Sequence, residues 1–259
     1  MDKVRSLTAH DLSTGEMLFR LTSLEEPNLS CTAEGEEITD AIGATIATLY
    51  RAKKATFSAT NSLISLDLAA AQYGTKKDIG SETNKIKVPT YEVLTVDNGT
   101  VELAHTPVGE ISYIYSIVNG EIATAYKAGA TVSATEFVVG EKEVTKDGET
   151  VTVPSITVPT GVTGKIYVEY AYETENANRI VNSTANFPEA CSMKIFAYFR
   201  DKCNENMVYS GVIVSPKAKL NPESVELALT STGKHPFEFK FQKDYCSEEE
   251  ELFSIIISQ

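Results

Sequence analysis

No stretch of the sequence comes near the roughly 20 consecutive apolar residues that a membrane-spanning helix needs, so no membrane partner is expected. The start, Met1-Asp2-Lys3-Val4-Arg5, has no apolar segment behind it; no secretory signal is expected, and the protein should be made and folded in a cytoplasm. A basic footprint is missing too. Lys53-Lys54, Lys76-Lys77 and the Lys217/Lys219 pair are short and diluted by acid, and the formal net charge is −13. Non-specific nucleic-acid binding draws most of its affinity from neutralised phosphates, so this chain is not built to grip DNA, although an acidic protein can live beside DNA by repelling it.

Groups that carry chemistry are scarce. The three histidines, His10, His105 and His235, stand at no metal-ligand spacing from one another or from a cysteine. His105-Thr106-Pro107 and His235-Pro236 read as surface turns. There is no G-x-S-x-G elbow, no phosphate loop and no G-x-G-x-x-G run. Cys31, Cys191, Cys203 and Cys246 are widely spaced and read as buried free thiols, since a reducing cytoplasm disfavours a Cys191–Cys203 disulfide. Asp97-Asn98-Gly99 lacks the ligand spacing and terminal Glu of a calcium loop. Carboxylates are abundant, in one group of Glu34, Glu36, Glu37 and Asp40 and another from Glu248 to Glu251. Two acids brought together in space could serve a glycosidase. The plainer reading is a solvated, self-repelling face, with the second run guarding the apolar strand Leu252–Ile257 against stray pairing. No catalytic residue, cofactor or metal is expected, and the chain is not read as an enzyme.

What is present favours strands. Trp is absent, but Thr, Val, Ile and Tyr are plentiful. Glu16–Leu21 reads as a strand after the Ser13-Thr14-Gly15 turn, and the acidic stretch from Glu34 to Asp40 as a loop. Ala44–Tyr50 and Lys53–Ala59 read as a hairpin or a bent pair around Arg51-Ala52, with Ala55, Phe57 and Ala59 on one buried face. One helix is expected over about 60–73, running from Ser62 to Tyr73, with Thr60 or Asn61 as N-cap and Gly74 past its end. Its docking stripe is Leu63, Leu66 and Ala70, with Ile64, Leu68 and Ala71 beside it.

From about Ile86 to Tyr172 the chain changes character. Short β-prone segments, such as Tyr91–Val96, Ile111–Val118 and Lys165–Tyr172, alternate with turns at Asn98-Gly99, Asn119-Gly120, Asp147-Gly148 and Thr160-Gly161. The tail reads as strands again at Ser192–Arg200, Val208–Val214, Ser224–Thr230, Phe237–Phe241 and Leu252–Ser258. The expectation is a mainly β fold: an antiparallel β-sandwich or barrel core from residues 1–85 and 176–259, one flanking α-helix, and an inserted small Ig-like β-sandwich unit over 86–175.

Two stretches carry a family resemblance. Ala33 to Asp40, continuing through Gly43–Tyr50 to Ala52–Asn61 and the helix after it, resembles the strand–strand–helix start of a tailed-bacteriophage tail tube subunit. Val208–Lys219, Val225–Thr230 and His235–Phe239 are similar to the closing strands of phage virion proteins. The resemblance implies a virion structural protein, assembled in the host cytoplasm. It further implies self-association into rings, typically of six, stacked into a tube; contact with other phage tail or head–tail proteins; and passage of DNA without specific binding. Glu34, Glu36, Glu37 and Asp40 would be assembly or lumen-facing acids, and Ala55, Phe57, Ala59, Leu63 and Leu66 an interface strand and helix. A capsid decoration or head-fibre protein is the neighbouring alternative. A β-sandwich binding module, such as an adhesin or carbohydrate-recognition domain, is another, with Tyr113, Tyr115, Tyr167, Tyr170 and Tyr172 as its candidate aromatics against the plainer reading of core tyrosines.

Overall fold

The computed structural model describes residues 3–146, 149–201, 204, 206–223, 225–229, 233–245 and 250–258. The chain folds as two compact units, Met1–Lys77 with Ile180–Gln259, and Asp78–Arg179. In chain order the first segment forms β1 (Lys3–Asp11), β2 (Met17–Leu21), β3 (Leu24–Thr39), β4 (Thr45–Asn61) and α1 (Leu66–Tyr73). The middle forms β5 (Asp78–Ile79), β6 (Ile86–Thr95), β7 (Thr100–Glu102), β8 (Tyr113–Val118), β9 (Glu121–Ala128), β10 (Glu136–Lys146), β11 (Glu149–Thr157), β12 (Lys165–Thr174) and β13 (Asn178–Arg179). The end forms β14 (Ala190–Arg200), β15 (Val208–Leu220), β16 (His235–Phe241) and β17 (Ser254–Ser258). The fold is mainly β with one helix among the described residues, as the composition predicts.

The two-part unit is an eight-stranded antiparallel sheet in the order β2-β1-β14-β15-β16-β4-β3, with β17 also on β15. Its strands alternate: β16 buries His235, Phe237, Phe239 and Phe241, and β14 buries Cys191, Met193, Ile195 and Ala197. A single eight-residue helix is too little to cover so wide an apolar face. The sheet therefore curls over itself. Phe19 on β2 stacks against Phe239 on β16 with centroids 6.3 Å apart, although β2 and β16 lie four places apart in the sheet, about 19 Å if it were flat.

The helix starts later than the sequence suggests. Residues 60 and 61 finish β4, and Ser65 is the N-cap, its hydroxyl accepting from the Leu68 N–H at 3.3 Å. Gly74 ends the helix in the left-handed region at φ 64°, and a Cβ there would lie 2.2 Å from the Phe187 carbonyl oxygen, so only glycine fits. The docked face is Leu68, Ala69, Ala70 and Gln72, while Leu63 and Leu66 are exposed, because the late start rotates the stripe.

His235 is no surface turn: it is fully buried at the first position of β16. Its Nδ1 accepts from the Ser65 N–H at 3.3 Å and its Nε2 meets Gln72 Oε1 at 2.6 Å, while Gln72 Nε2 donates to the Pro236 carbonyl at 3.3 Å. This chain of bonds ties both ends of α1 to β16 and needs a neutral imidazole with its proton on Nε2. Burial pushes the His235 pKa down to about 4. His105 is exposed, and its ring stacks on Tyr172 at 3.9 Å.

Other expectations shift as well. Residues 225–229 are not a strand, and Cys31 is exposed while Cys191 is a buried free thiol pushed up to about 12 by desolvation. Ser224, Thr230, Asp147-Gly148, Cys203, Cys246, Glu248 and Glu249 lie outside the described residues. Among the described residues no helix is long and apolar enough to cross a membrane, and no group of three or more His, Cys, Asp and Glu could hold a metal.

The middle unit pairs its strands in the order β6-β12-β8-β9-β10-β11-β7, antiparallel except for β9 with β10. Ile114, Ile166 and Val168 from β8 and β12 share one core with Val101, Phe137 and Ile156 from β7, β10 and β11, so the two ends of the path face each other as layers. Asn98-Gly99 and Asn119-Gly120 all have positive φ, the two-residue hairpin turns their sequences announce. Tyr170, in the core, donates to Glu92 and accepts from the His105 N–H at 3.2 Å, and Glu92 also takes the Ala104 N–H at 3.1 Å. Burial, and then the Glu92 carboxylate, raise the Tyr170 pKa.

Two outcomes follow from these contacts. His235 binds its proton less readily folded than unfolded, so the stability of the neutral form is complete above about pH 6.5 and is lost as pH falls toward 4. The unfolding free energy from urea titration should drop between pH 7 and 5, above the carboxylate range, by on the order of 1–2 kcal/mol, and His235→Gln should flatten that drop. Tyr170→Phe strands the Glu92 carboxylate and the His105 N–H. It should cost about 1–3 kcal/mol and speed hydrogen exchange at the Ala104 and His105 amides roughly tenfold or more.

Candidate assembly surfaces

The acidic stretch that reads as a loop is a strand. β3 and β4 pair from Leu24↔Asn61 to Thr39↔Thr45, so Glu34, Glu36 and Glu37 lie within a 16-residue strand whose partner runs 17. The bend at Arg51-Ala52 is real but local: Ala52 has φ 53°, and the register shifts between Thr32 and Glu34. The bulge divides the hairpin in two. On the near side Ala55, Phe57, Ala59 and Asn61 are buried on alternate positions, and β4 is paired on both edges, to β3 and β16. Ala55, Phe57 and Ala59 are thus spent on the subunit's own core.

Beyond the bulge every residue from Thr45 to Lys54 is exposed, and so are residues 31–38 opposite. This part is a free two-stranded arm about 25 Å long. Glu36↔Leu49 and Ile38↔Ala47 share one face, Gly35↔Tyr50 and Glu37↔Thr48 the other. Tyr50 is three-quarters exposed, and Ile42 at the tip is 90% exposed. Ile38, Ile46 and Leu49 are exposed as well, so apolar side chains point to water from both faces.

The four acids hold the arm's shape. Glu34 pairs with Lys54 at 2.7 Å and Glu36 with Arg51, and Lys54 holds the Glu34 carboxyl below its ordinary range. Asp40 closes the tip by accepting from the Ile42 and Ala44 N–H groups at 3.0 and 2.8 Å. Glu37 takes only a long bond from the Thr45 hydroxyl, at 3.4 Å. The exposed ion pairs contribute little to stability, being screened by solvent.

A second surface is the edge of β17. It pairs only with Val214–Ser210 of β15, running end to end with β16 along the same side of that strand. Gly211 makes room for it: a Cβ there would come within 2.9 Å of the Ile256 carbonyl and 2.5 Å of the Phe199 ring. Ile255, Ile256 and Ile257 are about half exposed, and the outer edge of β17 is unpaired among the described residues. A short apolar edge strand is a template for further pairing. Leu63 and Leu66 add exposed apolar surface beside α1. A groove of about 630 Å³ also opens at the root of the arm, lined by Cys31, Lys53, Lys54, Lys243, Leu252 and Phe253 among others. In it Lys243 holds the Glu250 carboxyl below its ordinary range.

Sequence reasoning named the acids and the strand below the bulge as candidates but passed over Ile42, Leu49, Tyr50 and the exposed faces of the β17 isoleucines. The usable signal was that apolar residues from Ile38 to Tyr50 keep to no single face, which a strand with one buried side would not tolerate.

An uncovered two-faced arm and an open apolar edge belong to a subunit that finishes its burial in an assembly. No curated protein matches the sequence. The sequence model of one family does, across residues 1–250, and the chain belongs to it: the YomU/Tube protein family, a phage-derived family of tail tube structural proteins.

Proposed function

We propose that copies of this chain assemble in the host cytoplasm into rings, six to a ring, that stack into a hollow tube and conduct DNA out of the capsid during ejection. The arm carries the reading. An isolated two-stranded hairpin is marginal in water, and one with Ile38 and Leu49 on one face and Ile46 and Tyr50 on the other calls for cover on both. A repeating head-to-tail stack supplies such cover at every level without closing on itself. The β17 edge suits main-chain pairing with the next subunit around the ring, with Leu63 and Leu66 as flanking contacts. Ala55, Phe57 and Ala59 then serve by stiffening the root of the arm.

The charge fits passage rather than binding. Glu34 and Glu36 are balanced by Lys54 and Arg51, Glu37 and Asp40 are not, and each subunit carries −13 overall. A ring of such subunits presents a negative wall that keeps DNA from adhering. The core of residues 1–85 and 176–259 makes the tube, and the Ig-like unit over 86–175 is an insertion in it.

Negative-stain microscopy and sedimentation of the purified chain should show rings or tubes on the order of 100 Å across or less, a span of several sheets packed about 10 Å apart. Ile42→Asp with Leu49→Lys, both on solvent-exposed positions, should leave the circular-dichroism spectrum and melting unchanged and stop growth beyond single rings. Ile256→Lys should act one step earlier and leave monomers, since an edge lysine blocks strand pairing. Persistent monomers of the unmodified chain at high concentration, or tubes from the arm variant, would overturn the reading.

A further inference from the structure

An antiparallel sheet with one face on a core normally turns polar residues outward. The outer face of β6, β12 and β8 keeps polar pairs at its two ends, Lys87 opposite Glu173 and Thr95 opposite Lys165, but carries aromatic rings between them. Tyr91 and Val93 on β6 are 65% and 48% exposed, and Tyr113 on β8 is 43% exposed, with half-buried Tyr115 and Tyr167 between them. Tyr167 lies directly opposite Tyr115, and Tyr91 opposite Glu169. Tyr91 and Tyr167 stack with centroids 5.7 Å apart and 27° between planes; Tyr115 and Tyr167 lie 6.2 Å apart at 55°. The result is a continuous aromatic ladder across three strands.

Cross-strand pairing accounts for part of this, because Tyr115 and Tyr167 shield each other as sheet neighbours do. It does not require Tyr91, two-thirds in water at the sheet's edge strand, or Tyr113. Nor does it require that all four rings carry a hydroxyl. Beside Tyr91 runs a shallow, open groove of about 380 Å³ lined by Pro89, Thr90, Tyr91, Glu169, Tyr170 and Ala171. Glu169 accepts the Tyr167 hydroxyl on Oε1, which leaves Oε2 for a donor from outside.

We infer that this tyrosine face is a binding site for a neutral polysaccharide. The C–H face of a sugar ring lies against an aromatic π face, whose quadrupole is negative, while its hydroxyls donate to a carboxylate and to phenol oxygens; the ladder, the groove and Glu169 supply all three. A protein partner would want a face whose centre is depleted of charge, whereas here Glu169 sits at the centre and Lys127 opposite Tyr113. Acidic polysaccharides are disfavoured, because residues 78–179 carry 15 acidic against 7 basic side chains. The site does not depend on tube assembly.

Affinity electrophoresis of the full chain in native gels cast with dextran, laminarin, galactomannan or soluble chitin, and with polygalacturonate as the anionic control, tests this. Retardation is expected in at least one neutral gel and none in polygalacturonate. Tyr91→Ala and Tyr113→Ala should each weaken it roughly fivefold, Tyr91→Phe, which keeps the ring but loses the phenol oxygen, should weaken it less, and Glu169→Gln should reduce it. Melting of each variant without glycan checks that the unit is folded. Migration unaffected by every neutral polysaccharide, retardation indifferent to Tyr91 and Tyr113, or a change in self-association caused by Tyr91→Ala would each overturn the inference, the last in favour of a protein interface.

Discussion

A sheet of eight strands with one apolar face and one short helix to lay on it has to bury that face against itself. The Phe19–Phe239 stack is where this happens, joining strands that would be far apart in a flat sheet. Everything else in the two-part unit follows from that closure. β1 and β2 come from the beginning of the chain and β14 to β16 from its end, so the core forms only when both ends have met. The helix adds Leu68 to that core and is held by His235 and Gln72, a polar clamp beside it. Such a clamp adds direction more than energy, since a buried polar group is tolerable only when every bond is made.

The same closure decides which surfaces are left over. The curl consumes the apolar face of β4 as far as Ala55, and beyond the Ala52 bulge there is no sheet left to receive it. β17 is left over in another sense: β16 already occupies the rest of that side of β15, so β17 presents its own free edge instead. The surfaces proposed for assembly are thus the parts of the sheet that the subunit's own burial does not reach.

Much of this was legible in the sequence. Period-2 alternation marked Ala55, Phe57 and Ala59, and the Asn-Gly turns marked hairpins, because both signals are local and each has one physical cause. The arm was not legible in the same way. Glu34, Glu36 and Glu37 look like a solvated loop, and they are solvated; what makes the segment a strand is pairing with Thr48 to Arg51, which no local pattern encodes. His235 failed for the opposite reason. A His-Pro pair resembles a turn, yet its ring is buried because Ser65 and Gln72, more than 160 residues earlier, bring the donor and acceptor it needs. The helix start moved because Asn61, a plausible cap in isolation, is claimed by pairing with His235 and Leu24.

The small ladder of β5 and β13 has a consequence for the chain as a polymer. Ile79 is paired with Asn178 and Asp78 with Arg179, and an Arg179–Asp78 ion pair at 2.8 Å pins the two together. The hundred residues between them therefore leave and return through a doorway one strand-spacing wide. For the two-part unit, whose chain is interrupted between Lys77 and Ile180, they amount to the loop of a hairpin. Closing a loop becomes only slowly more costly as it lengthens, and a folded insert with its ends already clasped removes even that cost. The middle unit can then lengthen, shrink or change its outer face with little effect on the entropy of folding the sheet that carries it, which leaves it free to vary in what it displays.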